Sequence, residues 1–429
     1  MVYKVLVFPG GTEIGLEIQK SLLHCKDIQI YSAGSRISNH ASLVFKNHFI
    51  IPSVSETDWL NSLNEIIIHE GIDYIFPAHD DVIVALAENI KSLKAKIVSS
   101  PQETCLITRS KSATYRLLAD IIPVPKLYID IEQISTYPVF LKPDKGQGSQ
   151  GTQLIDNQEY LYQYLHNNQQ QNLIFMEYLP GDEYTIDCFS DRDRGLLFCS
   201  GRERSRIRSG ISMNSKTVHN QSEIFQKYAC LIAEKLCFHG AWFFQLKKDQ
   251  YGIYKLLEIA PRIAGTMAVH RVKGINFPLL SIYEQERIPI EILINQIDVS
   301  IDRALINRYK HHIEYNKVYV DLDDTLILNG KLNLELIKFL YQCLNRDINI
   351  ILITKHKGDV KETLSKYRIF SIFDQIIHID SRSSKADYIC DDKSILIDDS
   401  FSERKDVSKR LGILTFDCSM LEMLLDERN

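Results

Sequence analysis

The sequence predicts a multidomain α/β protein, and three observations carry that expectation. From the N-terminus onward, apolar runs of strand length alternate with helical patterns. The middle of the chain holds a strand that presents a lysine ahead of a glycine-rich loop. Near residue 320 a further α/β series begins, and its strands end in carboxylates. With 429 residues, of which 45% are hydrophobic, the chain is long enough for several cores. Its formal net charge of −5, with no domain-wide basic face, excludes a general nucleic-acid binder. The N-terminal apolar run is too short for a signal peptide and reads as a first strand. No apolar segment is long enough to span a bilayer. The nine cysteines lie singly, without a CxxC pair, and read as buried thiols of a reducing cytoplasm.

Residues 1–100 form the first expected domain. Val5-Leu6-Val7-Phe8 enters Pro9-Gly10-Gly11-Thr12-Glu13-Ile14-Gly15, and a helix follows to about His24. The glycines do not have the GxGxxG spacing, and the next strand, Ile28 to Tyr31, ends in Ser32 where a ribose-binding acid would be needed. Close helix–strand packing is therefore favoured over a dinucleotide site. Tyr74 to Pro77 is another strand, ending at Ala78-His79-Asp80-Asp81. Asp80 or Asp81 either touches a substrate or caps the following helix.

In the middle of the chain, Tyr137 to Pro143 reads as a strand presenting Lys142, and Gly146-Gln147-Gly148-Ser149-Gln150-Gly151 follows. Glycines let backbone N–H groups approach phosphate oxygens, and the ammonium supplies charge. Downstream come Ile174 to Asp187, with Glu177-Tyr178-Leu179 and Glu183, then Trp242-Phe243-Phe244-Gln245-Leu246, then Leu257-Glu258-Ile259-Ala260-Pro261-Arg262. This set resembles the ATP-grasp superfamily from the N-terminus to about residue 312. It is most similar to the carboxylate-amine ligase branch, which includes carbamoyl phosphate synthetase and biotin carboxylase.

The resemblance implies a Rossmann-like pre-ATP-grasp domain over 1–100 and an α+β ATP-grasp domain over 101–312. It makes Lys111 and Lys142 the phosphate-binding lysines, beside Gly148 and Ser149 of the loop. Glu177 and the backbone of Tyr178 and Leu179 would hold the adenine edge, and Glu183 the ribose hydroxyls. Gln245 and Glu258 would ligate Mg²⁺ on the ATP phosphates. Arg262 would stabilise an acyl-phosphate or the leaving phosphate. The superfamily usually has Asn where this chain has Ala260, which removes one metal ligand. The basic segment Gly201 to Gly210 is either an exposed strand pair or a mobile loop collecting phosphate or carboxylate.

Between Asp302 and Lys317 the chain is rich in Arg, Lys, His and Asn, and the linker is expected near Ile313 to Asn316. Ile306 and Tyr309 within this run suggest packing more than a basic binding patch.

The last expected domain covers 316–429. The apolar run Val318-Tyr319-Val320 leads straight into Asp321-Leu322-Asp323-Asp324-Thr325, and alternation puts Asp321 and Asp323 on one face. Such a pair offers one carboxylate to attack phosphorus and another to handle a proton, while a divalent cation offsets their charge. Asn349 to Ile353 ends in Thr354, and Ser394 to Ile397 ends in Asp398-Asp399-Ser400, with Lys385 shortly before. Parallel strands bring such residues to a common carboxyl edge. Here the sequence resembles the haloacid dehalogenase (HAD) superfamily of phosphatases, over about the last quarter of the chain.

That resemblance implies a Rossmann-like HAD domain with a minimal cap, since the stretch from Asp324 to Thr354 is too short for a large insertion. Asp321 would be the nucleophile and Asp323 the general acid/base, with Thr354 and Lys385 holding the phosphoryl group. Asp399 would complete a Mg²⁺ site with Asp321 and Asp323. Asp398 would support it, or exchange roles with Asp399.

Together the resemblances imply a bifunctional cytoplasmic enzyme. Its ATP- and Mg²⁺-dependent ligase would join a small carboxylate to an amine through an acyl-phosphate, and its phosphatase would act on a phosphoester. No nucleic-acid or membrane partner is expected, and a homodimer is left open. Two rival readings stand beside it: an ATP-grasp phosphotransferase that forms no amide, and a nucleotide-sensing scaffold without turnover.

Overall fold

The computed structural model describes residues 2–36, 39–146, 148, 150–167, 173–219, 221–390 and 393–428. By internal contacts the chain divides into two compact units, one ending at Leu305 and the other running from Ile306 to Arg428. This division falls ahead of the expected linker at Ile313 to Asn316. The basic run belongs to the second unit because its side chains find acidic partners there: Arg308 pairs with Glu427 at 3.2 Å, and the Tyr309 hydroxyl donates to Glu422 at 2.6 Å.

Among the described residues, the first unit contains three sheets. The first is five-stranded and parallel, in the order His48–Ile50, Ile28–Gly34, Tyr3–Phe8, Tyr74–Pro77, Lys96–Ile97. Its central strand is buried on both faces, as parallel strands covered by helices are, with Val5, Leu6 and Val7 fully enclosed. The glycine turn after it serves close packing. A Cβ on Gly10 would lie 2.7 Å from the Ser32 Cβ, and one on Gly15 would lie 2.7 Å from the Gly10 carbonyl oxygen. Thr12 caps the Glu13–Leu22 helix by accepting from the Gly15 N–H. The second strand runs on through Ser32 to Gly34, further than the sequence suggests.

At the end of Tyr74–Pro77 the cap is neither Asp80 nor Asp81. His79 fills that role, its ring accepting from the Asp81 N–H. The two carboxylates are instead drawn to arginines distant in sequence, Asp80 to Arg262 and Asp81 to Arg109.

The second sheet is antiparallel and four-stranded, in the order Leu127–Tyr128, Leu173–Glu177, Val139–Pro143, Gln153–Ile155. The third has six antiparallel strands: Tyr254–Ala260, Gly240–Lys248, Glu183–Asp191, Gly195–Arg208, Ile211–Thr217, Ser300–Asp302. Period-two alternation sorts its residues. Tyr184, Ile186, Trp242, Phe244 and Leu246 join the core under the Ser222–Lys235 helix, which turns Glu183 and Gln245 to the opposite face.

The second unit is built on a five-stranded parallel sheet ordered Gln375–His378, Asn349–Thr354, Lys317–Val320, Ser394–Ile397, Leu414–Phe416. The strand leading to Asp321 is therefore central, flanked by the strands ending at Thr354 and before Asp398. Between Asp324 and Thr354 stand only the Ile327–Leu328/Lys331–Leu332 hairpin and the Leu334–Leu344 helix. Among the described residues, no helix is long and apolar enough to cross a membrane.

Candidate active sites

A cavity of about 320 Å³ lies in the first unit, lined from both antiparallel sheets. Lys111, Lys142, Gly148, Glu177, Tyr178, Leu179, Glu183, Gln245 and Glu258 all line it. Ser149 lies outside the described residues. Arg262 is not part of this lining.

Lys142 reaches the cavity from its strand as a buried ammonium, its Nζ donating to the Tyr115 hydroxyl at 3.0 Å. That hydroxyl in turn donates to the Leu257 carbonyl at 2.7 Å. Burial, reinforced by the like charge of Lys111, pushes Lys142 down to about 7. Lys111 donates to the Gly146 carbonyl at 2.9 Å. Its pKa is also lowered by burial, with Glu258 opposing. The cavity thus holds two lysines in a poorly solvated wall, where burial outweighs the pull of nearby carboxylates such as Glu258, an arrangement that a bound anion relieves.

Gln245 and Glu258 are direct cross-strand partners, so alternation places their oxygens side by side. Among the described residues, the Glu258 carboxylate accepts no hydrogen bond. Two oxygen donors beside a phosphate-sized cationic wall fit a hard cation such as Mg²⁺. Ala260 sits further along the same strand, buried in the apolar cluster with Phe243 and Ile263, and supplies no ligand.

The pocket also contains a residue that the sequence reading pooled with a basic run. Arg204 lines the cavity, pairs with Glu183, donates to Gln245 Oε1 at 2.9 Å and holds the Gly210 carbonyl at 2.6 Å. The available signal was the period-two spacing of Arg202, Arg204, Arg206 and Arg208, which an unbroken strand would turn toward one side, although here the pairing with Ile211–Thr217 shifts register after Arg204. Arg202 is consumed by a buried pair with Asp187 at 2.8 Å, and Arg206 by Asp302 at 2.5 Å. The basic segment is thus a paired strand whose arginines are largely neutralised. The Glu177 carboxylate is likewise engaged, accepting from the Lys126 N–H at 2.8 Å and pairing with Lys255.

Arg262 forms a two-point ion pair with Asp80, at 2.5 and 3.2 Å, and its guanidinium stands 5.1 Å from the Phe243 ring centre. Burial alone would raise Asp80, but Arg262 outweighs it and holds the carboxyl below its ordinary range. The pair fixes the guanidinium plane, as bidentate geometry does.

In the second unit the carboxyl edge of the sheet gathers a compact charged cluster. Lys385 bridges Asp321 at 2.7 Å and Asp398 at 2.5 Å, all three largely or wholly buried. Asp321, Asp398 and Asp399 each offer a carboxylate oxygen within 4.8 Å of the others. The Asp399 backbone N–H donates to Thr325 Oγ1 at 2.9 Å, which fixes the loop. Three hard oxygen donors at such spacing suit a divalent cation. Burial pushes Asp321 up to about 6 despite Lys385, and the two carboxylates hold Lys385 above its ordinary value although burial opposes them. Thr354 is fully buried at its strand end, with Oγ1 accepting from the His356 N–H at 3.1 Å. Asp323 stands apart from the triad: its half-exposed carboxylate faces the His356 ring.

Residues 169–298 match the family model described as ATP-grasp in the biosynthetic pathway with Ter operon. Over 177 residues the chain is 24% identical to a D-alanine--D-alanine ligase of Petrotoga mobilis, covering 40% of this chain and 58% of that protein. The match therefore spans little more than half the length of this curated relative. A biotin carboxylase from Campylobacter jejuni, solved as a β-γ-ATP complex, superposes with a TM-score of 0.56 at 14% identity, over 68% of this chain and 72% of its own. An L-amino acid ligase from Bacillus licheniformis gives a TM-score of 0.53 at 14% identity, over 65% of this chain and 73% of its own. Over the part that these matches cover, the chain has an ATP-grasp-like fold.

Proposed function

We propose that the first unit is an ATP-dependent carboxylate–amine ligase and the second a Mg²⁺-dependent phosphatase of the HAD type. The observation that carries the ligase reading is the cavity that sets Lys111 and Lys142 opposite the Gln245–Glu258 oxygen pair. The names of the D-alanine and L-amino acid ligases agree with it. In this reading a carboxylate oxygen attacks the γ-phosphorus and ADP departs. The amine then attacks the acyl carbon, orthophosphate leaves, and the amine loses a proton. Lys142 and Lys111 hold phosphate oxygens, and Gln245 with Glu258 would hold Mg²⁺, which spreads phosphate charge when bound; Arg262, outside the cavity lining and paired with Asp80, is given no phosphate contact.

The phosphatase reading is supported by the Asp321–Lys385–Asp398 cluster with Asp399 beside it. Asp321 forms a P–O bond as the ester P–O bond breaks, and Asp323 gives its proton to the departing oxygen. Asp323 then takes a proton from the water that attacks the phosphoenzyme, which frees phosphate and restores Asp321. Thr354 and Lys385 hold phosphoryl oxygens. Asp321, Asp398 and Asp399 would hold Mg²⁺, whose charge favours the reacting geometry when bound.

The ligase test uses a panel of amino acids and other small acids labelled with ¹⁸O in the carboxylate. One label is expected in the released orthophosphate, and only when an amine is present does an amide appear. ADP without label transfer would refute the acyl-phosphate, whereas a stable phosphorylated acid with no amide would favour simple phosphotransfer.

Lys142 gives a second expectation. Free enzyme carries this side chain mostly neutral at pH 8, because its folded value is about 7, and bound triphosphate restores the charge. ATP binding at pH 8 therefore takes up on the order of one proton, and less at pH 6, where the ammonium is already formed. Calorimetry in buffers of different ionisation enthalpy reads this directly. A binding enthalpy independent of buffer at pH 8 would remove Lys142 from the phosphate contacts.

A further inference from the structure

His356 follows the strand end at Thr354 and is fixed from several sides. Its Nδ1 lies 2.9 and 3.0 Å from the two Asp323 oxygens, and its Nε2 lies 3.1 Å from Thr363 Oγ1 on the Val360–Lys366 helix. Its backbone N–H donates to Thr354 Oγ1 at 3.1 Å, and its carbonyl accepts from His378 Nε2 at 2.7 Å. Gly358 leaves room for the ring, since a Cβ there would come within 3.0 Å of Nε2. A carboxyl oxygen of Asp323 can accept whether or not the group carries its proton, so a proton on Nδ1 satisfies this contact and leaves Nε2 to accept from Thr363. Asp323 itself is half exposed, and both of its carboxyl oxygens lie against the His356 ring, which fixes their direction.

We propose that His356 is a positioning residue for phosphoester cleavage: it holds the Asp323 carboxyl apart from the Asp321–Asp398–Asp399 triad, in the direction from which it protonates the leaving oxygen. This inference rests on the phosphatase reading above. The step itself is the one already balanced: the ester P–O bond breaks, the Asp321–phosphorus bond forms, and the Asp323 proton ends on the alcohol. His356 neither gains nor loses a group. It acts through Asp323, and its effect scales with how much the leaving oxygen needs that proton.

The test is a leaving-group series, 2,4-dinitrophenyl, p-nitrophenyl and phenyl phosphate, with Mg²⁺ and the full chain. For His356→Ala, kcat/KM, which reads only the transfer of the phosphoryl group to Asp321, is expected to fall about 100-fold on phenyl phosphate, within the range of a lost general acid, while the dinitrophenyl ester loses less than about 5-fold. His356→Asn, whose amide places a donor near the Nδ1 position, recovers most of the loss. Added to Asp323→Asn, His356→Ala costs nothing further, because both changes remove the same contribution. A uniform loss across the series, or additive losses in the double variant, would show a merely structural role and overturn the proposal. If the wild type hydrolyses none of the esters, or Asp321→Asn retains full activity, the phosphatase reading itself fails and this inference falls with it.

Discussion

With Asp321 replaced by asparagine, hydrolysis of p-nitrophenyl phosphate falls on the order of 10⁴-fold or more, as expected when a covalent nucleophile is lost. The amide is nearly isosteric, and Lys385 keeps its contact with Asp398 at 2.5 Å, so the sheet edge should keep its arrangement. What disappears is an anionic oxygen able to bond phosphorus, together with one donor of the Asp321–Asp398–Asp399 triad. ATP turnover by the first unit is expected to survive unchanged, which separates this result from general unfolding. Asp323→Asn is expected to be milder, since it removes the proton donor and leaves the attacking oxygen in place. Full phosphatase activity in Asp321→Asn would refute the nucleophile assignment, and parallel loss of ATP turnover would show that the variant is damaged beyond its site.

Lys142→Ala is the second large effect. Nucleotide affinity should drop by on the order of 1.5 to 3 kcal/mol, the worth of a charge-assisted contact, with ADP formation reduced at least as much. The fold should persist, because the Tyr115 hydroxyl still donates to the Leu257 carbonyl at 2.7 Å and loses only the lysine it accepted from. Removing an ammonium that burial has pushed to about 7 should also leave the free protein no less stable at neutral pH. Equilibrium binding and a coupled ADP assay read both quantities. Wild-type affinity and turnover would place the triphosphate elsewhere.

The residues legible in the sequence share a local context. Lys142, Thr354, Asp321 and Asp398 each stand at or just past the end of an apolar strand, where periodicity and position are visible without a partner. Gln245 and Glu258 lie within their strands, and only the ATP-grasp resemblance pointed to them. Partnerships across the chain were not. Asp80 looks like a helix cap because nothing near it reveals Arg262, 182 positions away, and that arginine captures it. Arg204 was hidden within a run of like residues, and only strand register separates it from Arg202 and Arg206. His356 gave no signal, since its partner Asp323 is 33 residues back and meets it only because their strands are adjacent in the sheet. The order of the parallel strands was equally hidden, because near-continuous apolar runs do not encode which neighbour they will pair with. The two-residue strands Leu127–Tyr128 and Lys96–Ile97 are too short to show any period.

Between Asp324 and Thr354 the second unit has one short hairpin and one helix, and in the proposed phosphatase reading this bears on where the phosphate goes. Enzymes that move a phosphoryl group from one alcohol to another must shield the acyl-phosphate until the acceptor arrives. Here Asp321 is largely buried but Asp323, which would activate the attacking water, is half exposed, so in this reading water is the acceptor within reach. Hydrolysis then outruns transfer, and in the proposed reading the second unit works as a drain: it takes esters to free phosphate and does not hand the group onward.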